Sequence, residues 1–149
     1  MSSRSRQFFI PALLALATCG LVASLAVARS DSGKTYVTSG CKGAAFKPKR
    51  IILACGDAGL VATKLQWKQW GANQASGSGT GEEKVCTPNC AEGTVAKGKM
   101  TLALSKQRFC SQDGKRHFTK VHYSWPEGAP GEGPNQGNIP LPCSLVSNY

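Results

Sequence analysis

The sequence predicts a small all-β domain, a sandwich or barrel stapled by disulfides and preceded by a signal peptide. Three observations carry that expectation. Six cysteines remain once an N-terminal export signal is set aside, and an even set in a short exported chain reads as a disulfide framework. Apolar and polar residues alternate with a period of two in several short stretches. Gly- and Pro-rich segments separate those stretches, and no helical period follows the signal.

The leader comes first. Arg4 and Arg6 form a basic region before an apolar run over residues 8–28, which closes on the small-x-small motif Ala26-Val27-Ala28. That pattern makes Arg29 the expected mature N-terminus. Ser5 separates the two arginines, so the leader is not of the twin-arginine type. The apolar run is about long enough to span a bilayer. Leu16-Ala17-Thr18-Cys19 also resembles a lipobox in which Cys19 would carry the lipid. Gly20, Ser24 and the Ala-rich end suit a cleavable peptide better, and Thr18 is a poor residue to precede a lipidated cysteine. The expected location is therefore secreted or cell-envelope, with no stable membrane span after processing.

The chain of 149 residues has a formal net charge of +10, and loss of Arg4 and Arg6 with the leader leaves +8. What remains suits one domain, large enough for a modest core and small enough to gain from staples. A strongly basic exported domain is drawn to anionic polymers such as cell-wall phosphates, phospholipid head groups or nucleic acid. The same charge also serves solubility.

Along the mature part, residues 29–45 are polar and small and read as an extended arm. A β domain over 46–125 and a Pro/Gly-rich tail over 126–149 follow. Ile51, Ile52 and Leu53 predict a buried strand over 50–55, and Cys55-Gly56-Asp57-Ala58-Gly59 is turn material. Residues 61–70 alternate, with Thr63, Leu65 and Trp67 on one face and Lys64, Gln66 and Lys68 on the other, which places Trp70 with the lysines. From 71 to 81 the chain is Gly, Ser, Asn and Ala and reads as a long exposed loop. A tight turn is expected at 86–90 and a third strand through Met100, Leu102 and Leu104. After a turn at Asp113-Gly114, a fourth strand points Val121, Tyr123 and Trp125 one way and Phe118, Lys120 and His122 the other. Prolines interleaved with glycines bar the tail from helix and from a central strand.

The six mature cysteines are Cys41, Cys55, Cys86, Cys90, Cys110 and Cys143. Cys110 is expected to pair with Cys143, because the flexible tail gains most from anchoring; the other four form two bridges of unspecified pattern. The alternative is zinc, with Cys86 and Cys90 supplying thiolates and Cys110 or His117 completing the site. Export and the even count favour disulfides, so neither metal nor cofactor is expected.

His117 and His122 are the only histidines, and a secreted nuclease would use two imidazoles as acid and base. Their odd separation puts them on opposite faces of one strand, with His117 toward the core, which leaves His122 alone for such chemistry. A single-histidine nuclease would need Glu82 or Glu83 as its second group. Gly77-Ser78-Gly79-Thr80-Gly81 lacks the Lys-Ser/Thr ending of a phosphate-binding loop. Asp57 reads as a turn cap, and no base neighbours Ser76 or Ser78 in sequence. Trp67 and Trp125 align with apolar neighbours and read as core. Trp70, flanked by Lys64 and Lys68, is the candidate stacking surface for a sugar or base. Lys47-Pro48-Lys49-Arg50 and Lys115-Arg116 each precede a strand and read equally as anion-binding clusters or as guards against aggregation.

Several motifs come in order along the chain: Lys47-Pro48-Lys49 before a buried strand, Cys55-Gly56-Asp57, Trp67-x-x-Trp70-Gly71, a Gly-rich loop and Cys86-x-Pro88-Asn89-Cys90-Ala91-x-Gly93. The set resembles small exported proteins of high-GC Gram-positive bacteria over residues 41–125. The resemblance implies export and a compact β domain and carries no activity over. Ala58 stands where another small polar residue is expected, and Cys110 and Cys143 are additional.

The functional expectation is a non-enzymatic cell-envelope protein. It would bind an anionic polymer or glycan through Trp70, Lys64 and Lys68, with Lys120 and His122 as further candidates. Nucleic acid is the less favoured partner. A secreted hydrolase using His122 is the alternative.

Overall fold

The computed structural model describes residues 33–39, 41, 43–56 and 58–143. The leader and Asp57 lie outside the described residues. The described residues form eight strands: β1 (Thr35–Ser39), β2 (Gly43–Ala45), β3 (Ile51–Ile52), β4 (Leu60–Trp70), β5 (Ala75–Lys84), β6 (Val95–Cys110), β7 (Lys115–Ser124) and β8 (Gln136–Pro140). They make one sheet in the order β2-β1-β7-β6-β5-β4-β3, with β8 also paired to β7. The all-β expectation holds.

β4, β5, β6 and β7 form an antiparallel meander, and β1 joins β7 in parallel. The sheet curls into a half-barrel, so its two margins meet. Trp70 Nε1 donates to the Thr35 carbonyl at 2.9 Å, and Thr35 Oγ1 donates to the Ala72 carbonyl at 2.6 Å. Ser39 Oγ donates to the Arg50 carbonyl, and the Cys41–Cys55 bridge locks the same margin. Inside lies one core built on Ile51, Leu65, Met100, Leu102, Leu104, Phe118, Val121 and Trp125.

The reading of 71–81 as a loop is corrected: β5 occupies most of it. Its core-facing positions are Ala75, Gly77, Gly79 and Gly81, set opposite Trp70, Trp67 and Ala62 of β4 and Leu104, Leu102, Met100 and Gly98 of β6. A Cβ at Gly77 would stand 2.6 Å from the Gln66 carbonyl and 2.9 Å from the Trp67 ring. One at Gly79 would strike the Thr63 carbonyl, and one at Gly81 the Trp125 ring. The glycines therefore mark close packing under large side chains rather than flexibility.

The arm of 29–45 is also corrected, because β1 and β2 fall within it. Val37 is fully buried, and the Thr35 and Thr38 hydroxyls donate to carbonyls, the latter to Pro142 at 2.8 Å. Satisfied hydroxyls let a polar stretch enter a core margin. The strand expected over 50–55 is ladder only at Ile51–Ile52, although Leu53 stays buried.

The turns are as expected. Asn89 Oδ1 accepts from the Ala91 and Glu92 amides in the 86–92 turn, and Gly114, at φ +67°, closes the β6–β7 hairpin onto the Cys110 carbonyl at 2.9 Å. The tail contributes β8 as an outer strand and buries Leu141. Bridges join Cys41–Cys55, Cys86–Cys90 and Cys110–Cys143, the last as expected.

Candidate functional site

β4 is not a regular strand, and this decides where its aromatics point. Its register against β5 shifts between Thr63 and Gln66 and again between Trp67 and Gln69, each time inserting one extra residue. A one-residue bulge swaps the faces of everything beyond it. Trp70 therefore turns inward beside Trp67 instead of outward beside Lys68. Its indole packs on Phe118 and Phe46, each with ring centroids 5.6 Å away. The expectation of Trp70 on the lysine face is corrected. Trp67 and Trp125 lie in or against the core as read from sequence.

The outward positions of the meander then assemble a different surface. Register aligns Gln69, Ser76, Ala103, His122 and Asn138 across five strands, and Ser78, Thr101, Ser124 and Gln136 beside them. Short side chains in the middle leave a trough of 390 Å³, with Lys68 at one margin and His122 at the other. A second depression, sharing Ser76 and Ala103 with the trough, reaches Ser105, the cross-strand partner of Lys120. A third holds Lys106, Thr119, Lys120 and Asn138 in 240 Å³. Lys106 adopts φ +56°, and its carbonyl accepts from Thr119 Oγ1 at 2.7 Å, which kinks both strands there.

The three depressions adjoin and cross the sheet as a furrow. It presents Lys68, Lys106, Lys120 and His122 among hydroxyl and amide groups, and among the described residues no carboxylate lines it. Among the described residues the ion pairs are Lys97–Glu82, Lys99–Glu127 and His117–Asp113, none involving those lysines.

Of the expected binding residues, the fold gathers Lys68, Lys120 and His122 on this face. Lys64 is exposed at the first bulge, outside the furrow lining, and Trp70 is half-buried against the core. Sequence reasoning missed Lys106, Ser76, Ser78 and Thr101. A signal for the serines was present in the alternation Ser76-Gly77-Ser78-Gly79-Thr80-Gly81, which has a strand's period.

His117 is 1% exposed and donates through Nε2 to Asp113 Oδ2 at 2.7 Å. Burial pushes the Asp113 carboxyl up, but the hydrogen bonds from His117 and the Lys115 amide, with the charges of both residues, outweigh it and hold Asp113 below its ordinary value. Burial, and then the Glu83 charge, push the Tyr123 phenol up. Cys110 Sγ, Asp113 and His117 lie within 4.8 Å of one another, yet Cys110 is bonded to Cys143 and offers no thiolate. The zinc alternative is overturned in the same way, since Cys86 and Cys90 are bonded to each other.

Fold and furrow define a disulfide-stapled all-β domain with a basic, hydroxyl-lined outer face. Multiple disulfides fit an oxidising compartment, and no helix among the described residues is long and apolar enough to cross a membrane. No family model, no curated protein and no solved structure matches this chain.

Proposed function

We propose that the protein is an exported, non-enzymatic component of the cell envelope that binds a linear anionic polymer or glycan along the furrow. One observation carries the reading: Lys68, Lys106, Lys120 and His122 border adjoining depressions with a hydroxyl and amide floor and, among the described residues, no carboxylate. Cations attract a polyanion, while hydroxyls and amides match sugar hydroxyls and phosphate oxygens. An extended furrow suits a chain better than a compact ligand. His122 serves here as a wall of the furrow, because the other histidine, His117, is sealed on a different part of β7 by Asp113.

The test is co-sedimentation of the exported protein with isolated cell walls. Binding at low salt that weakens at moderate salt, and weakens again in K68E/K120E, is expected. Failure to sediment at low salt, or binding indifferent to salt, sinks the proposal. Turnover of RNA, DNA or peptidoglycan that disappears in H122A would replace it with the hydrolase reading. Export itself is tested by intact mass: a chain beginning at Arg29, with reactive thiols appearing only after reduction, is the expected result.

A further inference from the structure

The described carboxylates of this domain are sorted along the half-barrel. Five of the six described carboxylates, Glu82, Glu83, Glu92, Glu127 and Glu132, gather where β5 passes into β6 and the tail crosses. Several are tied down there: Glu82 by Lys97 at 3.2 Å, Glu83 by the Gly133 amide at 2.6 Å, and Glu132 by the Thr87 hydroxyl. The opposite end comprises the start of β1, the residues after β2, the β4–β5 turn and the β6–β7 hairpin. Among the described residues it carries Lys34, Lys47, Arg108, Lys115 and Arg116 with Asp113 as its carboxylate, which His117 engages.

Two large apolar rings are exposed at this basic end, Phe46 at 42% and Phe109 at 62%. Register and contacts place them around the same rim: Thr35 pairs with Arg116 and Arg116 with Phe109, while Trp70 bonds the Thr35 carbonyl and packs against Phe46. Phe46 is braced from beneath by Trp70 and from the side by Tyr36, at 6.0 Å. Lys34 and Lys47 stand 5.9 and 5.5 Å from its centroid, and Lys115 stands 5.0 Å from that of Tyr36. The rings are thus held at a rim of cations.

We infer that this end of the barrel seats on an anionic phospholipid bilayer. Phe46 and Phe109 enter the boundary between head groups and acyl chains, and Lys34, Lys47, Lys115 and Arg116 meet the lipid phosphates. A soluble polyanion would satisfy the cations but leave Phe109 in water, whereas the bilayer interface supplies apolar depth and negative charge together. The segregated carboxylates orient the molecule, because an anionic surface attracts one end and repels the other. The seat is separate from the furrow, so either reading stands without the other.

The experiment is flotation of the exported protein with vesicles of phosphatidylcholine alone and of phosphatidylcholine and phosphatidylglycerol in equal parts. Flotation with the anionic vesicles only is expected. F109S, at an exposed position where folding is undisturbed, should lower partition roughly tenfold, and F46S/F109S further. K115E/R116E should abolish it, whereas K68E/K120E should leave it within about twofold. A tryptophan placed by F109W should shift to the blue on anionic vesicles and be quenched by brominated acyl chains. Equal flotation of F109S and wild type, or no quenching in F109W, reduces the contact to charge alone and overturns the seat. Loss in K68E/K120E with F109S unaffected transfers lipid contact to the furrow and overturns it too. Wall binding without flotation overturns the seat while leaving the furrow proposal intact.

Discussion

Trp67 and Trp70 meet edge to face, with ring centroids 4.5 Å apart and planes at 84°, although they lie three positions apart along β4. In a regular strand that spacing would send them to opposite faces. Lys68, the extra residue of the second bulge, restores them to the same side. The Trp67 indole then donates to the Pro48 carbonyl at 2.8 Å and the Trp70 indole to Thr35, so both polar tips are satisfied while the rings extend the core.

Trp70 is accordingly a structural residue. W70A should cost roughly 3 kcal/mol of stability, read from denaturant unfolding, because it removes a ring packed on Phe118 and Phe46. The folded variant should keep its salt-sensitive wall binding. A variant as stable as wild type that no longer binds walls would restore the stacking-platform idea.

The glycines of β5 and β6 should differ sharply in tolerance. A Cβ at Gly79 meets the Thr63 backbone, which cannot yield cheaply, whereas one at Gly98 meets Pro130 carbons at 3.4 Å, close to ordinary contact. G79A should destabilise by about 2–3 kcal/mol, and G98A should stay within about 0.5 kcal/mol of wild type. Equal melting temperatures for the two variants would contradict the packing described for β5.

The three bridges should rank by the loop each closes. Their sequence separations are 4, 14 and 33 residues. Removing Cys86–Cys90, Cys41–Cys55 or Cys110–Cys143 as paired serine variants should cost about 2, 3 and 4 kcal/mol. Chemical denaturation of the three variants checks the order, and a larger loss for Cys86–Cys90 than for Cys110–Cys143 would refute it.

Asp113 should shape the acid limb of stability. Its folded-state pKa is depressed, so its contribution is complete above the unfolded carboxylate value of about 3.9 and is lost as pH falls through the lower folded value. D113N should be less stable than wild type near neutrality, and the gap should close below about pH 4. A gap unchanged down to the acid extreme would mean that the Asp113–His117 contact contributes no proton-linked stability.

The legible parts of this protein were those written in local pattern. The alternation at Met100–Leu104 and Val121–Trp125 marked core strands, and Asp113-Gly114 and Cys86–Cys90 marked turns. Each is settled by a residue and its near neighbours. Other features were hidden because their cause is distant. Ser76 to Gly81 resembles a loop by composition and becomes a strand only because Leu65, Trp67 and Trp125 need space above it. Thr35 and Thr38 pass for an arm until carbonyls 37 and 104 residues away accept their hydroxyls.

The sequence by itself determined the all-β class, the cysteine framework and the excess of cations, since period, count and charge belong to the chain. Tertiary structure decided which lysines share a face, that Trp70 points inward, and that carboxylates and exposed rings sit at opposite ends. Those outcomes depend on register: two single-residue bulges in β4 and one kink at Lys106 reassign faces, and bulges are set by the partner strand rather than by the residues that form them.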